Sequence, residues 1–171
     1  LGFGRAPSRH TFQSSERGDA EAEPWAEIEN LRDQATYVNN VPLPASLRQI
    51  GNLGLAGSRE WLDGVASGII AQLVTLHSPA ELTLAAIASA ESATRWNWLM
   101  WLPHVDSSHS PLDGVHLASS PSVVTSLVTT LEELVAARTE IGAKVRVSDV
   151  VLLVENDAPV ERGRLVTLAK N

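Results

Sequence analysis

The chain has 171 residues and a mass of 18.3 kDa, the size of one domain and long enough to bury a core. With 44% apolar and 19% charged residues it is no disordered polymer, and its net charge of -7, from 13 Lys and Arg against 20 Asp and Glu, argues against a free-standing nucleic-acid binder. It has no cysteine, which excludes disulfides, zinc–thiolate sites and cysteine nucleophiles together, and no apolar run approaches the 18 or so residues of a membrane span. The chain starts at Leu1 and Met100 is its only methionine, which predicts a segment of a longer protein.

Leu1–Gln13, with Gly2-Phe3-Gly4 and Pro7, reads as a short extended piece. The acidity then concentrates. Glu16, Asp19, Glu21, Glu23, Glu27, Glu29 and Asp33 face only Arg17 and Arg32, so this stretch holds five of the seven net negative charges. It reads either as a solvated loop leading into a surface helix or as an acidic surface for a basic partner domain. Pro24 starts the helix, with Trp25, Ile28 and Leu31 at helical spacing. Val38–Leu47, broken by Pro42 and Pro44, is at best an edge strand. Residues 1–40 thus form an extended piece, an acidic loop and a short helix. Residues 41–171 form an α/β domain.

In that domain Ile50–Gly57 is predicted as a short apolar strand. Ser58 is a good N-cap, and Leu62, Val65, Ala66, Ile69, Leu73 and Leu76 mark an amphipathic helix that stops before Pro79. Leu82–Ala88 is a near-continuous apolar run that suits a strand covered on both faces. A Trp-rich segment, Ser92–Leu102, follows. Val115–Ala118 is a short strand, and Ser122–Ile141 is a second long helix. Val150–Val154 is the most strongly β stretch, and Pro159–Leu168 begins another helix. Strands alternating with helices predict a mainly parallel sheet flanked by helices.

Four constellations carry candidate chemistry. At Leu53–Glu60, a strand, a glycine turn and a helix N-terminus would place free N–H groups where α/β folds bind phosphates. A working phosphate loop reads G-x-x-x-x-G-K-[ST]; here Gly54-Leu55-Ala56-Gly57-Ser58-Arg59 has the wrong glycine spacing and an arginine near the lysine position. The only lysines, Lys144 and Lys170, are far away in sequence. At Val150–Asp157, an apolar strand ends in Glu155 and Asp157, as where phosphate-loop enzymes place their magnesium-coordinating and water-activating carboxylates. Three of the five tryptophans lie in Trp96–Trp101. As a regular helix this segment puts Trp98, Trp101 and Leu102 on one face, for packing over the sheet or for a partner-domain contact, with Trp96 pointing elsewhere. Finally, His104, Asp106, His109, Asp113 and His116 crowd one loop and are zinc- or iron-ligand types without a recognised spacing.

The order of these pieces resembles a known family. A strand ending at glycine, a helix running into Leu76-His77-Ser78-Pro79, a strand, then Trp96-x-Trp98-Leu99-x-Trp101-Leu102-Pro103-His104 is similar to the FtsK/SpoIIIE-type ATPases of type VII secretion, the EccC/EssC-like proteins. The match runs best from Val41 to Glu155, on the cytoplasmic module between the transmembrane helices and the first motor domain. The resemblance implies a RecA-like, phosphate-loop-type α/β fold whose phosphate loop has decayed. Gly57, Ser58, Arg59 and Glu60 would occupy the degenerate loop and Glu155 the acidic-strand position. It implies no cofactor in this segment, with ATP and magnesium bound by later motor domains. The parent would be a membrane-anchored homo-oligomer at the cytoplasmic face, moving small helical proteins, or DNA in the FtsK branch. The expected function is therefore a non-catalytic structural or regulatory module partnered by adjacent motor domains, with no direct nucleic-acid binding. The alternatives are a nucleotide-binding or weakly active ATPase domain using Arg59 and Glu155, and a metal-dependent hydrolase at the His/Asp loop.

Overall fold

The computed structural model describes residues 2–10, 22–141 and 148–170. Glu16, Arg17, Asp19 and Glu21 of the acidic stretch, and Lys144, lie outside them. The chain divides into two units, Leu1–Leu53 and Gly54–Asn171.

In the first unit, strand β1 (Phe3–Pro7) pairs antiparallel with β2 (Tyr37–Pro42), and helix α1 (Ala22–Ala35) leads into β2. Pro24 sits in the first turn of α1, where the backbone N–H it lacks has no intrahelical partner. The register passes from Gly4↔Val41 to Ala6↔Val38, so Arg5 faces two residues of β2. Asn40 absorbs this bulge at φ 55, a left-handed conformation that Asn tolerates. The Arg5 guanidinium lies 4.1 Å over the Tyr37 ring. The short helix α2 (Leu47–Ile50) ends at Gly51, whose φ of 70 and N–H bond to the Leu47 carbonyl close the turn.

The predicted strand over Ile50–Gly57 does not form. Ile50 ends α2, and Leu53 and Leu55 are exposed in irregular chain. Gly51, Gly54 and Gly57 supply no side chains to pack and lose the most entropy on ordering, so a strand here has little to hold it.

The second unit is built on β3 (Leu82–Ile87). It pairs parallel with β5 (Asp149–Val154) from Leu82↔Asp149 to Ile87↔Val154, and with the short β4 (Leu117–Ala118), giving the order β4-β3-β5. Every residue of β3 is buried. Side chains alternate across a sheet. Leu84 and Ala86 therefore pack on one face with Ala66 and Ile70 of α3 (Arg59–Leu76) and with Trp96 and Leu99. Ala85 and Ile87 pack on the other with Val124, Leu127, Val128 and Leu131 of α5 (Pro121–Ile141). Helix α6 (Arg162–Lys170) adds Leu168 to that second face, and Arg164 bonds Glu132 of α5 at 2.6 Å. The Arg138 guanidinium bonds the Ser148 carbonyl, tying α5 to the start of β5. The result is a parallel sheet between two helical layers, the α/β arrangement the alternation predicts.

The Trp-rich segment departs from expectation. Helix α4 (Ala93–Trp96) lasts one turn and then tightens into 3-10 turns over Asn97–Trp101 and Pro103–Val105. Three residues per turn bring i and i+3 onto one side. Trp96 and Leu99 therefore face the core, at 3% and 1% exposure, while Trp101 is 88% exposed. Of the regular-helix face, Trp98 and Leu102 stay half-buried against the same cluster and only Trp101 turns to solvent, while Trp96, expected to point elsewhere, is buried.

Ile87 touches both the strand ladder and the α5 layer, so Ile87→Ala is expected to lower unfolding free energy by about 2–5 kcal/mol, read from urea denaturation.

Candidate functional site

All strands of a parallel sheet end at one edge, and the loops that follow them converge there. The Glu155 N–H donates to the Ile87 carbonyl at 2.9 Å, which carries the β3–β5 pairing one step past the strands. The residues after β3 and after β5 are thereby neighbours.

Glu155 is the centre of this edge. Its side chain is 8% exposed, and its carboxylate accepts from three side chains. The Trp96 indole Nε1–H donates to Oε1 at 2.7 Å, and Arg95 Nη2 donates to the same oxygen at 3.3 Å. Arg59 Nη1 donates to both oxygens, at 3.2 and 3.0 Å. Asp63, one turn after Arg59, brings Oδ1 to 3.5 Å from Arg59 Nη1 and Oδ2 to 3.8 Å from Arg95 Nε. Two carboxylates thus alternate with two guanidiniums. Burial alone pushes the Glu155 carboxyl up; the bonds from Trp96, Arg59 and Arg95 and the Arg59 charge outweigh it and hold the group below its ordinary range. The bond and charge of Glu155 in turn keep Arg59 more firmly protonated.

Asp157 is held in a second knot. Ser89 Oγ donates to Oδ2 and Ser92 Oγ to Oδ1, each at 2.8 Å. The two serines also bond each other's backbone, Ser89 N–H to Ser92 Oγ at 2.9 Å and Ser92 N–H to Ser89 Oγ at 3.1 Å. These hydroxyl bonds hold the Asp157 carboxyl below its ordinary range.

Of the residues singled out in sequence, the fold brings Arg59 and Glu155 into contact. Gly57, Ser58 and Glu60 stay exposed at the start of α3. Ser58 begins that helix through its carbonyl, which accepts from Leu62 N–H at 3.0 Å, and its hydroxyl makes no capping bond. Glu60 lies in the first turn, where an acid suits the helix dipole. Sequence reasoning missed Asp63, Arg95, Trp96, Ser89 and Ser92 as site residues. The available signal was position: residues just past one parallel strand meet those just past its neighbour.

The His/Asp loop does not assemble a metal centre. Among the described residues no three His, Asp or Glu side chains converge on one point. His104 is buried and its Nε2 donates to the His77 carbonyl at 2.9 Å. His116 Nδ1 donates to the Gly114 carbonyl at 3.0 Å while its Nε2 lies 3.0 Å from Ser110 Oγ, and burial pushes its pKa down. The His104–His77 bond also joins the two motifs on which the family resemblance rests.

The second unit is a parallel α/β module whose edge acids are held by its own side chains. No family model matches the chain. It is 34% identical over 88 residues to the ESX-3 secretion system protein EccC3 of Mycobacterium tuberculosis (strain CDC 1551 / Oshkosh), covering 52% of this chain and 7% of that protein. It is 30% identical over 96 residues to the ESX secretion system protein EccC of Geobacillus thermodenitrificans, covering 52% of this chain and 6% of the relative. To the EccC of Thermomonospora curvata it is 34% identical over 74 residues, covering 43% and 6%. The chain is EccC-like, and the matched stretch spans well under a tenth of these curated relatives.

The folded carboxyls of Glu155 and Asp157 lie below their ordinary values of 4.5 and 3.8, so the stability they contribute is present above those values and is lost as pH falls through the folded ones. At pH 7, Glu155→Gln is expected to destabilise by about 1–3 kcal/mol. The gap from the parent chain should narrow as pH falls below 4.5 and through the lower folded value, measured by urea unfolding across pH.

Proposed function

We propose that this chain serves type VII secretion as a non-catalytic, RecA-like module of an EccC-like ATPase. It positions or regulates motor domains elsewhere in a longer protein. The capture of Glu155 by Arg59, Arg95 and Trp96 carries this reading. Phosphate-loop chemistry needs a lysine on the β/γ-phosphates and carboxylate oxygens free for magnesium and for the attacking water. Arg59 stands near the lysine position and is bound to Glu155. Both oxygens of Glu155 and both of Asp157 already accept hydrogen bonds within the chain. The residues present do not fit a magnesium–nucleotide, and no hydrolytic step is derived from them.

What supports the family part of the reading is the similarity to EccC proteins of ESX secretion systems. What supports the RecA-like part is three parallel strands with helices on both faces. By the resemblance, ATP and magnesium belong to the motor domains. The longer protein is a membrane-anchored homo-oligomer at the cytoplasmic face, moving small helical proteins. Among the described residues no helix is long and apolar enough to cross a membrane.

Calorimetry and phosphate-release assays on the 171-residue chain with ATP and magnesium test the proposal. The expected result is no turnover, before or after Glu155→Gln. Turnover that Arg59→Ala or Glu155→Gln abolishes would overturn it in favour of an active ATPase.

A further inference from the structure

The first unit carries a surface that the secretion reading does not use. None of its described residues is buried, and a two-stranded ribbon with α1 and the one-turn α2 is too small to be stable on its own. Exposed apolar side chains occur across the unit, among them Phe3, Val38 and Ile50, and those of α1 fall on one face. At about 100° per residue, Leu31, Ala35, Ile28 and Trp25 share an arc of roughly 120°, interrupted only by Arg32. Ile28 is 46% and Leu31 58% exposed. Glu27 borders the stripe on one side and Glu29 on the other, and Glu29 accepts from the Trp25 indole N–H at 3.2 Å. Asp33 lies beyond Glu29 and is also exposed.

We propose that this face of α1 docks a basic amphipathic helix of another protein. The partner's apolar stripe would cover Ile28 and Leu31, and its Lys or Arg side chains would stand against Glu27 and Glu29. An apolar seam bordered by charge is how paired helices choose their partners, and the sign of the border selects the opposite sign. The same sign disfavours the other candidates. A second α1 brings the same excess of acid, Glu27, Glu29 and Asp33 against the single Arg32, and an anionic lipid surface or a phosphate backbone would be repelled by that excess.

The test is titration of the full chain at low salt with a synthetic helical peptide of about 21 residues, three heptads with leucine on one face and lysine on its borders. Binding is followed by calorimetry and by amide chemical shifts. The expected result is shifts confined to the first unit and strongest in α1. Glu27→Lys/Glu29→Lys should weaken binding by at least about tenfold, and so should Ile28→Ser/Leu31→Ser. Circular dichroism checks that both variants keep their helix. Glu91→Lys/Glu133→Lys, exposed acids of the second unit, should stay within about twofold of the parent chain. The proposal is overturned if the peptide does not bind, if the α1 variants bind unchanged, or if the Glu91/Glu133 variant loses as much. It is overturned equally if Ile28→Ser/Leu31→Ser abolishes self-association in sedimentation or binding to anionic vesicles. The occupant would then be a second copy or a lipid surface. None of these outcomes bears on whether the chain hydrolyses ATP, so the docking and secretion readings fail separately.

Discussion

The second unit depends on one constraint: β3 is a parallel strand with no solvent face. Thr83 and the apolar residues of Leu82–Ile87 are buried together, and the Thr83 hydroxyl is met by Ser148 Oγ at 3.2 Å. A strand of this kind requires a helical layer on each side and a paired strand on each edge. Helix α3 and the Trp96–Leu99 turn provide one layer and α5 the other, while β4 and β5 provide the edges. Because all three strands run the same way, their trailing residues meet at one end. The position of Glu155 beside Arg95 and Trp96, and of Asp157 beside Ser89 and Ser92, follows from that direction rather than from any local preference.

The edge itself shows how a site of this geometry is closed from within. A carboxylate in a mostly buried position needs compensation, since its desolvation is costly. Glu155 obtains it from an indole N–H and two guanidiniums, and Asp63 keeps the two arginines from facing each other unscreened. The network takes residues from α3, α4 and the end of β5, so it also joins one helical layer to the sheet. In the proposed reading, the residues that would serve a nucleotide in a motor domain serve the fold.

Much of this was legible in the chain. The stripe of Leu62, Val65, Ala66, Ile69 and Leu73 fixed α3 by spacing, and the apolar runs at Leu82 and Val150 fixed the two long strands. Two predictions failed for local reasons. Ile50–Gly57 has an apolar run but too many glycines to hold a strand, and it has no partner strand among the described residues. Trp96–Trp101 has helical spacing for one face, but the change to 3-10 geometry after Trp96 turned Trp101 to solvent and left Trp96 in the core. Spacing arguments assume a constant number of residues per turn, and a one-turn helix does not guarantee it.

The sequence by itself determined the long helices, the two long strands, their order and the absence of a lysine at the helix N-terminus, because periodicity and residue identity are local properties. It also singled out Arg59 and Glu155 as candidates through the family resemblance. Only the tertiary structure decided that these two bond each other, that Arg95, Trp96 and Asp63 complete the set, and that His104 reaches the His77 carbonyl. Arg59 and Glu155 are 96 residues apart in the chain. What brings them together is the register of β5 on β3 and the packing of α3 across it, and those are set by the whole buried core at once.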